Sequence, residues 1–308
     1  MNESPAHLGC ANPVNYAKML PFPMKSPRAL PASAFLLSIG LLHAQWLHHP
    51  TAGIPRTPDG KPNLTAPAPR TAEGKPDFSG IWITGNPVPC DPVKGADLLD
   101  CDAELPIARE AIDIGYSLPG GLPYRPWAAA LVKERVKNEG KDDPHVRCLP
   151  LTVPRDYGLP HLQKIVQTPG LLLILNEWNA GYRQIFTDGR PLPVDPQPAW
   201  NGYSSAQWDG DTLVVHTAGF RDDLWLDLKG SPLTDAAKLT ERFHRPNYGA
   251  LEIELTVDDP KAYTQPWTII IKKALLPDTE LLDEICLENE KSYQHYLDIP
   301  KPVDGHPH

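Results

Sequence analysis

The stretch Tyr203-Ser204-Ser205-Ala206-Gln207-Trp208-Asp209-Gly210-Asp211-Thr212-Leu213-Val214-Val215-His216-Thr217 decides the fold. On both sides of Asp209-Gly210 polar and apolar residues alternate with a period of two, the period of a half-buried strand. An Asp-Gly pair between two such runs is a hairpin turn, because both residues tolerate positive φ. That turn sets Trp208 against Asp211, Gln207 against Thr212, Ser205 against Val214 and Tyr203 against His216. One face then carries Tyr203, Ser205, Gln207, Thr212 and His216; the other carries Ala206, Trp208, Leu213 and Val215.

The same period extends outward in both directions. Upstream it marks Gln163–Thr168, Leu171–Trp178 and Tyr182–Thr187; downstream it marks Lys238–Arg245, Ala250–Val257 and Trp267–Lys273. Pro169-Gly170, Asn179-Ala180-Gly181 and Pro246-Asn247-Tyr248-Gly249 join neighbours with turn-forming residues. Phe78–Ile83 reads as a further strand at the start. With no crossover helices between them, these strands predict a mainly β fold, an antiparallel up-and-down barrel of about 8–9 strands resembling a lipocalin. Closure removes the exposed edges; a two-sheet β-sandwich is the alternative. The chain also holds 37 prolines in 308 residues, more than twice the ordinary ~5%, which excludes an all-helical protein.

Other segments dress this barrel. Pro106–Ile114 and Pro126 to Asn138 read as helices inside an insertion at 104–140. On the second, Trp127, Leu131 and Arg135 recur at four-residue spacing and predict the face that docks on the sheet. Residues 45–76 form a Pro-rich arm in which Arg56-Thr57-Pro58-Asp59-Gly60-Lys61-Pro62 is echoed by Arg70-Thr71-Ala72-Glu73-Gly74-Lys75-Pro76. Each copy predicts a turn followed by an extended piece. The barrel domain spans 77–296, and 297–308 reads as a flexible tail.

Residues 24–44 have the basic start, short apolar core and small-residue end of an export signal. Residues 1–23 then read as an extension ahead of the true start at Met24. The apolar run is too short to span a bilayer, so the mature chain is expected to be periplasmic or secreted without a membrane span. Cys90, Cys101, Cys148 and Cys286 remain after cleavage, an even number that predicts disulfides in an oxidising compartment. Cys90 with Cys101 closes a short loop, and Cys148 with Cys286 ties the start of the β region to its end. The four cysteines lack C-x-x-C spacing, and no metal or cofactor motif is present, so none is expected. A net charge of −9 argues against nucleic acid as a partner.

Three groups of residues carry candidate chemistry. If the polar faces of the strands point inward, Tyr203, His216, Arg242, Glu252 and Glu254 converge with Gln207. His216, Tyr203 and Glu252 would then supply acid/base chemistry, while Arg242, Glu254 and Gln207 hold a polar ligand. Alternation serves equally well for strands that turn those faces to solvent. Glu177 and Arg183 form the second group, paired across a three-residue turn at Asn179–Gly181 and able to orient a ligand carboxylate. Trp208, with Trp200, Trp225 and Trp267, either fills the core or roofs a pocket. Gly202-Tyr203-Ser204-Ser205-Ala206 resembles a nucleophile elbow but leads into a hairpin, where an elbow needs a following helix.

Several motifs carry a resemblance: Pro126-Trp127-Ala128-Ala129, Gly140-Lys141-Asp142-Asp143-Pro144, Arg147-Cys148-Leu149-Pro150, Asp188-Gly189-Arg190-Pro191-Leu192-Pro193, Trp208-Asp209-Gly210-Asp211-Thr212-Leu213-Val214-Val215, Thr217-Ala218-Gly219-Phe220 and Cys286-Leu287-Glu288-Asn289. With the repeated T-x-[DE]-G-K-P arm, the chain resembles an uncharacterised bacterial family of exported proteins. The resemblance implies export and a compact β-rich domain, and it carries no catalytic residue over. The leading expectation is a barrel whose pocket binds a small, partly polar organic molecule. The alternatives are an isomerase, lyase or hydrolase in the same pocket, and an accessory subunit of an extracytoplasmic assembly; a homo-oligomer is compatible with each.

Overall fold

The computed structural model describes residues 50–85 and 107–288. The proposed export signal, Cys90, Cys101 and the tail lie outside those residues. Eleven strands form among the described residues: β1 Gly80–Thr84, β2 Gln163–Thr168, β3 Leu171–Asn176, β4 Tyr182–Phe186, β5 Tyr203–Asp209, β6 Thr212–Ala218, β7 Leu224–Trp225, β8 Pro232–Leu233, β9 Lys238–Asn247, β10 Ala250–Asp258 and β11 Trp267–Leu275. Nine of them close into a barrel in the order β1-β11-β10-β9-β6-β5-β4-β3-β2, while β7 and β8 pair apart from it. The barrel forms in place of the sandwich.

One pairing departs from the up-and-down scheme. β4 and β5 run parallel, because the intervening segment is no hairpin turn. Residues 187–202 contain Pro191, Pro193, Pro196 and Pro198, which cannot join a ladder and instead carry the chain back along the barrel. β5 therefore starts at the same end as β4.

The Asp209-Gly210 hairpin forms with its tip one residue later, so that Asp209 pairs Thr212, Gln207 pairs Val214 and Ser205 pairs His216. Each strand moves by one residue, and the faces keep their predicted composition. The apolar set points inward. Ile174, Ile185, Ala206, Leu213, Val215, Phe243, Ile253 and Ile269 are buried in one core cluster that fills the barrel.

The two barrel ends are closed differently. At the end holding the β2–β3, β5–β6 and β9–β10 turns, the arm folds over the strands. Both of its repeats adopt the same turn: Thr57 N–H donates to the Lys61 carbonyl and Thr71 N–H to that of Lys75, each at 2.8 Å. Arg56 then pairs with Asp278 at 2.7 Å and Arg70 with Asp211 at 2.5 Å. Leu64 lies so close to Gly249 that a Cβ there would stand 2.5 Å from the leucine Cβ.

Helical segments cover the other end: α1 Arg109–Ile112, α2 Pro126–Lys137 and α3 Arg155–Gly158. α1 is a single turn rather than the longer helix expected. On α2 the buried residues are Ala128 and Val132, while Trp127 stays 41% exposed with its indole N–H on the Lys261 carbonyl. The docking face is thus turned by about one residue from the predicted one. Arg135 does reach the body of the protein, stacking over Trp225 at 4.4 Å. Among the described residues no helix is long and apolar enough to cross a membrane.

Candidate functional site

The parallel seam is the weak point of the barrel wall. β4 and β5 share only the pairs Ile185–Ser204 and Phe186–Ser205. Towards the strand starts the chains part, and a cleft of about 460 Å³ opens between the β3–β4 turn and the segment leading into β5. Trp178, Tyr182, Phe186, Trp200 and Tyr203 supply its aromatic surface, and Asp156, Asn176, Arg183, Asn201 and Ser204 its polar one. That volume falls within the range of small-molecule sites.

Arg183 is 4% exposed and lies against Glu241, which is fully buried. Its Nη1 donates to Glu241 Oε1 at 3.0 Å and to the Tyr157 hydroxyl at 2.6 Å. Its Nη2 donates to Glu241 Oε2, to Ser204 Oγ at 3.1 Å and to Thr217 Oγ1 at 2.9 Å, and Nε reaches Ser204 at 3.3 Å. The Tyr157 hydroxyl donates to Glu241 Oε1 at 2.7 Å. Burial alone would push the guanidinium pKa down, but the attraction of Glu241 and Tyr157 reverses this and holds it above its ordinary value. Burial likewise raises the Tyr157 phenol well above the usual range, against the pull of Arg183.

A second polar chain runs beside the first. Gln163 Nε2 donates to Asp156 Oδ2 at 3.0 Å and to Asn176 Oδ1 at 2.8 Å. Among the described residues Asp156 Oδ1 is buried without a partner. Burial raises the Asp156 carboxyl above its ordinary pKa, although Lys273 and His161 draw it back. Burial lowers Lys273 to about 8, and its ammonium donates to the Tyr157 carbonyl at 2.9 Å.

The cleft wall at Trp178–Gly181 is fixed from outside the barrel. Cys148 and Cys286 stand at disulfide distance, with Cα atoms 5.4 Å apart. Asn179, in the left-handed region at φ 52°, donates from Nδ2 to the Cys148 carbonyl at 2.8 Å. It also accepts the Cys286 N–H on Oδ1 at 3.0 Å. Asparagine tolerates that backbone better than most residues.

The predicted residues separate in the folded protein. Tyr203 and Arg183 border the cleft. The inward convergence of the polar strand faces does not occur: Gln207, His216 and Glu254 are exposed and Arg242 and Glu252 half-buried, all on outward-facing positions. There Arg242 pairs with Asp209 at 2.9 Å, and His216 meets Thr240 at 3.2 Å. The apolar faces exclude water from the barrel, so the polar faces turn outward.

The Glu177–Arg183 pair does not form either. Leu175 pairs Tyr182 and Ile174 pairs Arg183, because the β3–β4 connection is wider than the three residues expected: residues 176–181 separate the last paired positions. That odd shift in register puts Leu172 and Ile174, in place of Leu173 and Leu175, on the inward face that Arg183 shares with Ile185, and leaves Glu177 in the turn. Glu177 instead accepts the backbone N–H groups of Leu162 at 2.9 Å and Leu282 at 3.3 Å. Trp208 points to the arm end, stacked on Phe78 with ring centres 5.7 Å apart, and borders a cleft of about 570 Å³ beneath the second arm turn.

Asp156, Tyr157, Asn176, Glu241 and Lys273 are the cleft-end residues missing from the sequence expectation. Two of them leave a signal there. Glu241 stands between Leu239 and Phe243, and Lys273 between Ile271 and Leu275, each a charge flanked by apolar residues in an inward row. Such a charge needs a buried partner, and therefore a polar centre. Asp156 and Tyr157 sit in one helical turn and leave no periodic trace. Comparison with protein-family models and with curated proteins finds no match for this chain.

Proposed function

We propose that this protein is an exported β-barrel that binds a small, partly polar organic molecule in the seam cleft rather than in the barrel lumen. The observation that carries the reading is a ligand-sized cleft where Asp156 Oδ1 is buried without a partner. A buried polar atom of that kind calls for a group that completes it. The aromatic rim would cover the apolar part of the ligand. The signal-like segment 24–44 and the Cys148–Cys286 distance support export.

Catalysis in the same cleft is the second reading, carried by Asp156, a cleft-lining carboxyl whose pKa burial raises. His216 and Glu252 lie away from the cleft and have no part in it. A thermal-shift screen of small organic molecules tests the binding reading. It expects stabilising compounds whose effect disappears in Tyr182→Ala and Trp200→Ala. Hits unaffected by both variants, or an absence of hits, would contradict it. Turnover lost in Asp156→Asn with affinity kept would move the protein to the enzyme class.

A further inference from the structure

The charges around the seam cleft narrow what it can hold, if the binding reading stands. Among its lining residues only Asp156 and Arg183 belong to the strongly ionisable types. Arg183 has no donor to spare. Nε, Nη1 and Nη2 are all committed to Ser204, Tyr157, Thr217 and Glu241, and Glu241 balances its charge. A ligand carboxylate would therefore meet no free cation. It would also lie beside a buried carboxyl group, at a desolvation cost nothing there offsets.

The groups left over are adjacent. Gln163 donates to both Asp156 Oδ2 and Asn176 Oδ1, so one amide nitrogen sets the orientation of the two side chains. What remains is Asp156 Oδ1, which has no partner, and the amide nitrogen of Asn176, which no hydrogen bond among the described residues uses. One can accept a hydrogen bond and the other can donate one. Beside them Trp200 has Arg221 stacked 4.4 Å from its ring centre, while Tyr203 and Tyr182 are 38% and 64% exposed.

We infer that the cleft takes an uncharged ring bearing two neighbouring hydroxyl groups, gripped by Asp156 and Asn176 and covered by the aromatic rim. A saccharide and a catechol both present that chemistry. Each hydroxyl both donates and accepts, so adjacent hydroxyls can satisfy an acceptor and a donor together. The ring carbons supply the apolar surface. Arg183 holds the wall of the cleft together and does not touch the ligand.

Titration calorimetry on the disulfide-bonded protein tests this with trans-1,2-cyclohexanediol against cyclohexanol, catechol against phenol, and glucose against glucuronate. The diol of each of the first two pairs is expected to bind at least ~10-fold tighter than its mono-hydroxyl partner, because a site built for a hydroxyl is left unpaired without it. Glucuronate should bind at least ~10-fold weaker than glucose, since its charge finds no partner. Asn176→Leu and Asp156→Leu should each abolish the preference for the diol. Asn176→Leu alone suffices if Asp156→Leu does not fold, as judged by its melting curve. Stronger binding of glucose or of catechol identifies the source of the ring. Equal binding of diols and mono-hydroxyl compounds, or tighter binding of glucuronate, would overturn the ligand class and leave the cleft standing. Binding of no probe at all would overturn the cleft as well.

Discussion

The two ends of this barrel solve the same problem with opposite chemistry. At the arm end the strands are closed by chain laid over them: Phe78 stacks on Trp208, Leu64 seats against Gly249, and exposed Arg–Asp pairs fasten the repeats. At the cleft end charges enter the barrel itself, with Arg183 against Glu241 and Lys273 near Asp156. The arm end does bury one inward charge, Arg245, but holds it on the backbone carbonyls of Asp77 and Tyr248. The cleft end sets buried charge against buried charge, at a desolvation cost that leucines would not carry, and this marks the end where polar chemistry is wanted. The larger arm-end cleft lacks a buried ionised network, and this is why the seam is the stronger candidate despite its smaller volume.

The sharpest break in the comparison is a single substitution on either side of the buried ion pair. Arg183→Met or Glu241→Leu leaves one buried charge unpaired and should cost about 3–5 kcal/mol in urea unfolding. The double variant should recover most of that loss. If either single variant cost less than ~1 kcal/mol, the buried pair would not organise the cleft end.

Next in size is the Cys148–Cys286 link, which joins positions 138 residues apart. Cys148→Ala with Cys286→Ala should lower stability by about 2–4 kcal/mol. Hydrogen exchange should quicken at Trp178–Gly181, the turn that Asn179 holds to both cysteines. An unchanged exchange rate there would separate the disulfide from the cleft wall.

Lys273 supplies a pH signature confined to the cleft end. Its folded-state pKa of about 8 lies below the ordinary 10.5, so between those values the unfolded chain holds the extra proton. Its contribution to stability therefore rises with pH over that interval. Lys273→Met should remove that rise, measured as melting temperature from pH 7.5 to 10. A rise that persists in the variant would place its origin elsewhere.

The smallest effect belongs to the arm. Arg70 and Asp211 are about half exposed, so Arg70→Ala should cost less than ~1 kcal/mol, with less effect still in high salt. A loss comparable with Arg183→Met would erase the contrast between the ends.

The nine barrel strands are legible in the sequence because period-two alternation survives in most of them, and hairpin turns mark most of their ends. The faces are legible too, but not their direction, since polar and apolar rows look alike from either side. What decides direction is the competition between filling a narrow barrel and hydrating it, and the apolar row wins. The parallel seam is harder to read. It depends on where a proline-rich segment returns the chain, a long-range matter with no local period. Arg183 is read with the right residue and the wrong partner, because the β3–β4 turn uses left-handed Asn179 and Ala180 and shifts the register. Asp156 and Asn176 gain their meaning only through Gln163, which folding brings between them.

Native mass spectrometry of the protein recovered from an oxidising compartment, compared with Asn176→Leu and Trp208→Ala, tests the seam as the binding site most directly. A bound organic mass is predicted in the wild-type protein and in Trp208→Ala, released on denaturation and missing from Asn176→Leu. A mass kept by Asn176→Leu and lost from Trp208→Ala would move the site to the arm end, and a bare wild-type protein would contradict a resident ligand at either end.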